Sequence, residues 1–223
     1  MGDVIRKSAA AVDIFADVRT TNRNAQARGG QWKQFADEHL KSVLSILDLV
    51  DKNLQAAELA YGPLRAALDA ADEHADGLLG RTSDAIWNEV GRPAHDPIYT
   101  LLFPGGVTYY VDGPDDEQPL RMELLAQLLE AELHPRLEPA KAKAFAADLK
   151  TEAAAYAAAV QAAAGPRAKV EMWRRMRSAV ARNAQINLAH LKRRYKIAGF
   201  SEAEIHTVIP DRPPTKKPAE PTP

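Results

Sequence analysis

Because the chain contains no cysteine, any metal site must use its six histidines or its carboxylates, and the histidines are considered first. Di-iron helical bundles use Glu-x-x-His pairs, and the sequence contains no such pair. Glu130 and His134 could share a helix face, but the helix dipole also favours a histidine near a helix end. His39 lies on an apolar stripe, where we expect a hydrogen-bonded core histidine. The sequence therefore predicts no metal and no cofactor.

Motifs for nucleophilic or nucleotide chemistry are also missing from the sequence. No serine lies in a Gly-x-Ser-x-Gly turn, and neither the phosphate-binding loop nor the dinucleotide fingerprint occurs. We therefore predict that the protein is not an enzyme.

Composition favours a helix-rich chain. It contains 41 alanines among 223 residues, and alanine is the best helix former but a poor core filler. No apolar run approaches the length of about 18 residues that a membrane span needs. The first residues do not form a secretory signal, so we expect a cytoplasmic protein.

The net charge of −1 conceals an uneven distribution. Residues 1–166 carry a charge of −9, whereas residues 167–196 carry ten basic residues and one acidic residue. Such a basic segment is typical of binding to nucleic acid or another acidic surface. It is equally compatible with pairing against the acidic part of the same chain.

The basic segment 167–196 is predicted to be an amphipathic helix. Trp173, Met176, Val180 and Leu188 share one apolar face, on which Arg177 would need a carboxylate partner. Met172, Ile186 and Ile197 form a thin second apolar line. The candidate nucleic-acid-binding residues are Arg174, Arg175, Arg182, Lys192, Arg193 and Lys196. No aromatic residue interleaves with them, so base stacking is not expected.

Apolar residues recur at alternating spacings of four and three over the first 60 residues, the pattern of a helical seam. The predicted seam includes Phe15, Val18, Ala25, Trp32, Ala36, His39, Val43, Ile46, Val50, Asn53 and Ala57. We expect a break or kink at Gly29-Gly30, and helix ends at Tyr61-Gly62-Pro63 and Gly165-Pro166. Gly199 is expected to end the last long helix, and Ser201 and Glu204 to form a capping box.

The stretch 92–118 has a different character. Residues 98–103 and 107–111 are rich in β-formers, and Pro104-Gly105 between them fits a type II turn. The pattern predicts a small β-hairpin at about residues 98–111. Such a hairpin is marginal alone, so it should pack on the helices, a second subunit, a partner or a ligand. The candidate partner-binding residues are Tyr99, Leu101, Phe103 and Tyr110.

These patterns predict an all-α fold: an elongated antiparallel helical bundle with coiled-coil character and one hairpin insert. We expect one domain over residues 1–209 and a disordered proline-rich tail over 210–223.

The function most compatible with this fold is a non-catalytic interaction or scaffold protein that binds a protein partner or itself. A nucleic-acid-binding protein that uses the helix 167–196 is the alternative. A third option is an enzyme or small-ligand carrier with a pocket beside the hairpin.

Overall fold

A computed structural model describes residues 9–210, which form seven α-helices and no strand, so the predicted all-α class is confirmed. The proline-rich tail lies outside the described residues apart from Pro210. The helices are α1 (Ala11–Arg28), α2 (Gly30–Glu89), α3 (Pro97–Leu102), α4 (Thr108–Val111), α5 (Gln118–Glu130), α6 (Pro139–Ile197) and α7 (Glu202–Val208). None of the described helices is long and apolar enough to cross a membrane.

The chain divides into two compact units, and the long helices α2 and α6 contribute to both. Unit 1 comprises Met1–Ala57 and Val170–Pro223, and unit 2 comprises Glu58–Lys169. Each unit contains its own hydrophobic core. The expectation of a single domain over residues 1–209 stays a prediction.

The core of unit 1 is built from α1, the first part of α2, the last part of α6, and α7. The buried residues of α2 here alternate at spacings of four and three: Ala36, Leu40, Val43, Leu47, Val50, Leu54 and Ala57. Each heptad of the seam has two buried positions. The prediction is correct for Ala36, Val43, Val50 and Ala57, and the other buried position lies one residue later than predicted. Ile46 is exposed, and the neighbouring Leu47 is buried in its place.

The end of α6 is anchored as the sequence predicted. Gly199 has a φ of 89°, and the Phe200 N–H donates to the Tyr195 carbonyl at 3.2 Å. Helix α7 then begins with a capping box, in which the side chains of Ser201 and Glu204 each bind the other residue's backbone N–H. Ile205, Val208 and Ile209 are buried in the core of unit 1, where α7 contacts α1.

The helix ends predicted at Pro63 and Pro166 are wrong, because α2 and α6 continue through both prolines. An interior proline removes one backbone hydrogen bond and crowds the preceding turn. Helices of this length gain most of their stability by burying one face. The core residues Ala57 and Leu68 on either side of Pro63, and Ala163 and Val170 around Pro166, are buried, and this burial offsets the local cost.

The predicted β-hairpin is also wrong, since residues 97–102 and 108–111 form the short helices α3 and α4. The Asp96 carboxylate accepts from the backbone N–H groups of Ile98 at 2.9 Å and Tyr99 at 3.0 Å, and Pro97 occupies the first turn. An aspartate N-cap followed by proline is a strong helix start. Here it outweighs the β propensity of Ile98 and Thr100.

The break predicted at Gly29-Gly30 is present between α1 and α2. Gly29 has a φ of 70° and a ψ of −161°, a combination that is essentially restricted to glycine. Gly30 has a φ of 50°. The chain therefore leaves the helical conformation at this point.

Replacing Gly29 by alanine should lower the free energy of unfolding by about 1–3 kcal/mol, because alanine is strained at this φ and ψ. Gly80→Ala is the matched control. Gly80 lies inside α2 with open space around its Cα, so alanine there should stabilise by about 0.5–1 kcal/mol. Urea denaturation of the two variants measures both changes. Equal effects of the two substitutions would contradict a turn at Gly29.

Candidate interaction surfaces

Two of the predicted nucleic-acid-binding residues are engaged inside unit 1. The ammonium groups of Lys192 and Lys196 lie 2.6 and 2.7 Å from the carboxylate oxygens of Glu202. These two lysines, Lys192 first, lower the pKa of Glu202 to about 2. Both lysines therefore fasten α7 to α6. Arg174 also takes part in an interaction of its own.

The other three candidates, Arg175, Arg182 and Arg193, are exposed and form no ion pair or hydrogen bond with the part of the chain that the structure describes. They are seven and eleven residues apart, so at 3.6 residues per turn their directions around α6 agree to within about 20°. The structure thus narrows the predicted basic surface to a single line of three free guanidinium groups.

Large apolar side chains accompany these arginines on the outer side of α6. Met172, Met176, Ile186 and Ile197 are between 46% and 77% exposed. Met176, which the sequence placed with the core, belongs to this outer line. We call Arg175, Arg182, Arg193 and these four apolar residues the basic face. The opposite side of α6 is buried in unit 1 through Val180, Ala184, Leu188, Leu191 and Tyr195.

Arg177 confirms the expectation that an arginine on the core side of α6 needs a carboxylate. Its Nε donates to the Asp51 carboxylate at 2.9 Å, and its guanidinium carbon lies 5.4 Å from the centre of the Phe15 ring. Asp51 also receives a hydrogen bond from Arg19 at 3.2 Å. Arg177 is therefore part of the packing of unit 1 and is not available to a ligand.

Most of the side chains predicted to bind a partner from residues 98–111 lie inside unit 2. Phe103 and Tyr110 are only 2% and 1% exposed, and the Tyr110 hydroxyl donates to the Leu102 carbonyl. Burial raises the pKa of Tyr110. Tyr99 is half-buried and shares a hydrogen bond of 2.8 Å with the Ser83 hydroxyl. Of the four candidates, Leu101 alone is largely exposed.

A second exposed apolar surface, which the sequence reasoning missed, lies on α5. Leu120 and Leu124 are 65% and 42% exposed and are one turn apart. Glu123 on the same helix and Asp116, two residues before its start, are exposed and form no ion pair or hydrogen bond with the described residues. We call these four residues the acidic leucine face. The signal was present, because the many leucines of residues 120–133 surround the helix too widely for one core face.

His134, four residues after the end of α5, is hydrogen-bonded to the residue that caps the start of α3. Its Nε2 lies 3.0 Å from the Asp96 carboxylate, and its Nδ1 accepts from the Arg136 N–H at 3.2 Å. Since Nδ1 accepts, Nε2 carries the proton and donates to Asp96. The N–H of Tyr99 and the imidazole of His134 lower the pKa of Asp96. The pair is a structural clamp, and no group of metal-ligating side chains occurs among the described residues.

A depression in unit 2 is partly open to solvent. Its walls are Leu102, Leu128, Leu129, Glu132, Leu133, His134, Leu137 and Ala142. From the segment 98–111 it includes Leu102 but none of the tyrosines, whose presence in a pocket would favour the third functional option.

The two units carry opposite charge. The described residues of unit 1 include 14 basic and nine acidic side chains, a net charge of +5. Unit 2 includes ten basic and 18 acidic side chains, a net charge of −8. The basic face belongs to the positive unit and the acidic leucine face to the negative one.

Comparison with known proteins adds no relative, since no family model, curated protein or solved structure matches this chain. Any functional conclusion therefore rests on the surfaces described above.

Phe103→Ala should lower the free energy of unfolding by about 3–5 kcal/mol, because it empties a well-packed site in unit 2. Leu101→Ala is the neighbouring control and should change it by less than about 0.5 kcal/mol, since Leu101 is 54% exposed. Chemical denaturation followed by circular dichroism measures both. A mild effect at Phe103 would return this side chain to the partner-binding candidates.

Glu202→Gln should reduce the pH dependence of stability. The folded-state pKa of about 2 lies below the ordinary value of 4.5, so the ionised carboxylate stabilises the fold above that ordinary value, and this stabilisation is lost as the pH falls towards 2. The variant should be less stable than the native chain at neutral pH and should lose less on acidification. Glu73→Gln, at an exposed glutamate without an ion pair among the described residues, is the control. If the stability of Glu202→Gln depends on pH as steeply as that of the native chain, the pairing of Glu202 with Lys192 and Lys196 does not stabilise the fold.

Proposed function

We propose that the protein is a non-catalytic helical interaction protein that associates with itself. The observation that carries this proposal is the basic face, where three unpaired arginines adjoin four exposed large apolar side chains. Contiguous exposed apolar groups are typical of interaction sites. Arginine and methionine are also enriched where proteins meet.

The architecture we propose for each unit is a bundle of antiparallel helices with coiled-coil packing. The contacts between α2 and α6 support it. In unit 1, Asp51 meets Arg177 and the Trp32 carbonyl meets Tyr195. In unit 2, Asp72 meets Tyr156 and Glu89 meets Lys141. Within each unit, rising numbers on α2 pair with falling numbers on α6, and the alternating spacing of buried residues is that of a heptad seam.

Self-association is favoured over an unrelated partner by the charge of the chain. Unit 1 is positive and unit 2 negative, so a second copy presents a surface that is complementary to each. Complementary potentials accelerate encounter and select the partner. The same chain thus provides both halves of an electrostatic match.

Nucleic-acid binding through the helix 167–196 is the second candidate, and the line of Arg175, Arg182 and Arg193 favours it. Three phosphate contacts would give a modest, strongly salt-dependent affinity. The apolar side chains of the basic face would remain uncovered in such a complex, because phosphate contacts are polar. This is the reason for preferring a protein partner.

The full chain should form oligomers at micromolar concentration, and raising the salt concentration should weaken them, because exposed charges are screened. Sedimentation velocity at low and high salt, with a concentration series, measures the association. A parallel titration with a random-sequence DNA duplex tests the alternative. A chain that stays monomeric under all these conditions would refute the self-association proposal.

A further inference from the structure

We propose that the basic face of one copy binds the acidic leucine face of a second copy. This inference rests on the proposed self-association and specifies which two surfaces meet. One side supplies Arg175 and Arg182 with exposed methionine and isoleucine. The other side supplies Asp116 and Glu123 with Leu120 and Leu124.

Charge excludes the two symmetrical alternatives. A basic face against a second basic face would bring unpaired arginines together, and two acidic leucine faces would bring unpaired carboxylates together. Juxtaposed like charges disfavour an interface. The contact must therefore join two different surfaces, the basic face of one copy and the acidic leucine face of the other.

The apolar parts of the two faces match in character. The basic face presents methionine and isoleucine side chains on α6, and the acidic leucine face presents leucine side chains on α5. Charged groups accompany the apolar side chains in both. Packing these lines together removes apolar surface from water on both copies. The arginine and carboxylate groups at the edge of the contact then neutralise one another, as in the polar rim of ordinary interfaces.

The lengths of the two faces limit the contact. Helix α5 has 13 residues, about 20 Å at 1.5 Å per residue. The basic face extends from Met172 to Ile197, about 38 Å by the same rise. One α5 helix therefore covers only about half of the basic face. A two-fold dimer uses both faces of each copy, whereas a single contact leaves one face on each copy for a further neighbour or for closing a ring.

The test uses two charge-reversed forms of the full chain. The first carries Arg175→Glu and Arg182→Glu, and the second carries Asp116→Arg and Glu123→Arg. Each form alone has two faces of the same sign, so its self-association should weaken by at least about tenfold. Mixed together, each supplies the complement of the other, and association should return. All four positions are exposed, and circular dichroism should show native helicity.

Lys41→Glu with Lys52→Glu is the matched control. Both lysines are exposed in unit 1, form no ion pair with the described residues and lie on α2, whereas the basic face lies on α6. This variant changes the net charge as much as the first form does, and it should associate like the native chain. If it loses association equally, net charge and not the basic face is responsible, and the proposal fails.

The remaining outcomes separate this inference from the proposed function. Native-like association of either charge-reversed form alone would leave self-association standing and refute this pair of surfaces. A monomeric native chain would refute both. Native binding to phosphatidylserine vesicles or random DNA that the first form loses, without self-association, would assign the basic face to an anionic surface instead.

Discussion

The structure depends on the burial of apolar stripes on its two long helices, each stripe belonging to the core of one unit. Helix α2 has 60 residues and α6 has 59. Most helical stability in proteins comes from the tertiary packing of an amphipathic face rather than from intrinsic propensity. In unit 1 the stripe on α2 repeats at alternating spacings of four and three. Both helices continue through Pro63 and Pro166, and buried residues resume after the two prolines at Leu68 and Val170.

The sequence could predict the helical class and every second position of the core seam of α2. The positions between them are buried one residue later than predicted. The buried positions are Leu40, Leu47 and Leu54, whereas the predicted ones were His39, Ile46 and Asn53. A shift of one residue turns a helix by about 100°. The three leucines seven residues apart were the better signal, since leucine contributes more on burial than histidine or asparagine. Following the strongest apolar repeat would have given the observed phase.

Local signals were reliable where a side chain satisfies the backbone directly. Ser201 with Glu204 and the positive φ at Gly199 are as predicted. Asp96-Pro97 is also a helix start in which a side chain binds the backbone. The predicted hairpin rests instead on the β propensity of the residues that follow. Strand propensity reflects packing on a half-buried surface. A short segment does not determine by itself whether it packs in that way. The Asp96 cap also depends on His134, which is distant in sequence and invisible to local patterns.

The free and the engaged basic residues of α6 differ in which neighbouring element reaches them. Glu202 on α7 reaches Lys192 and Lys196, and Asp51 on α2 reaches Arg177. Within unit 1 these elements lie on the core side of α6 or beside it. No described carboxylate forms an ion pair with Arg175, Arg182 or Arg193. The sequence showed ten basic residues in one segment, but only the packing separates those that are paired within the fold from those that are exposed and unpaired among the described residues. The unpaired residues Arg175, Arg182 and Arg193 lie with exposed apolar side chains on the basic face, and there the uneven charge of the sequence becomes an exposed basic surface.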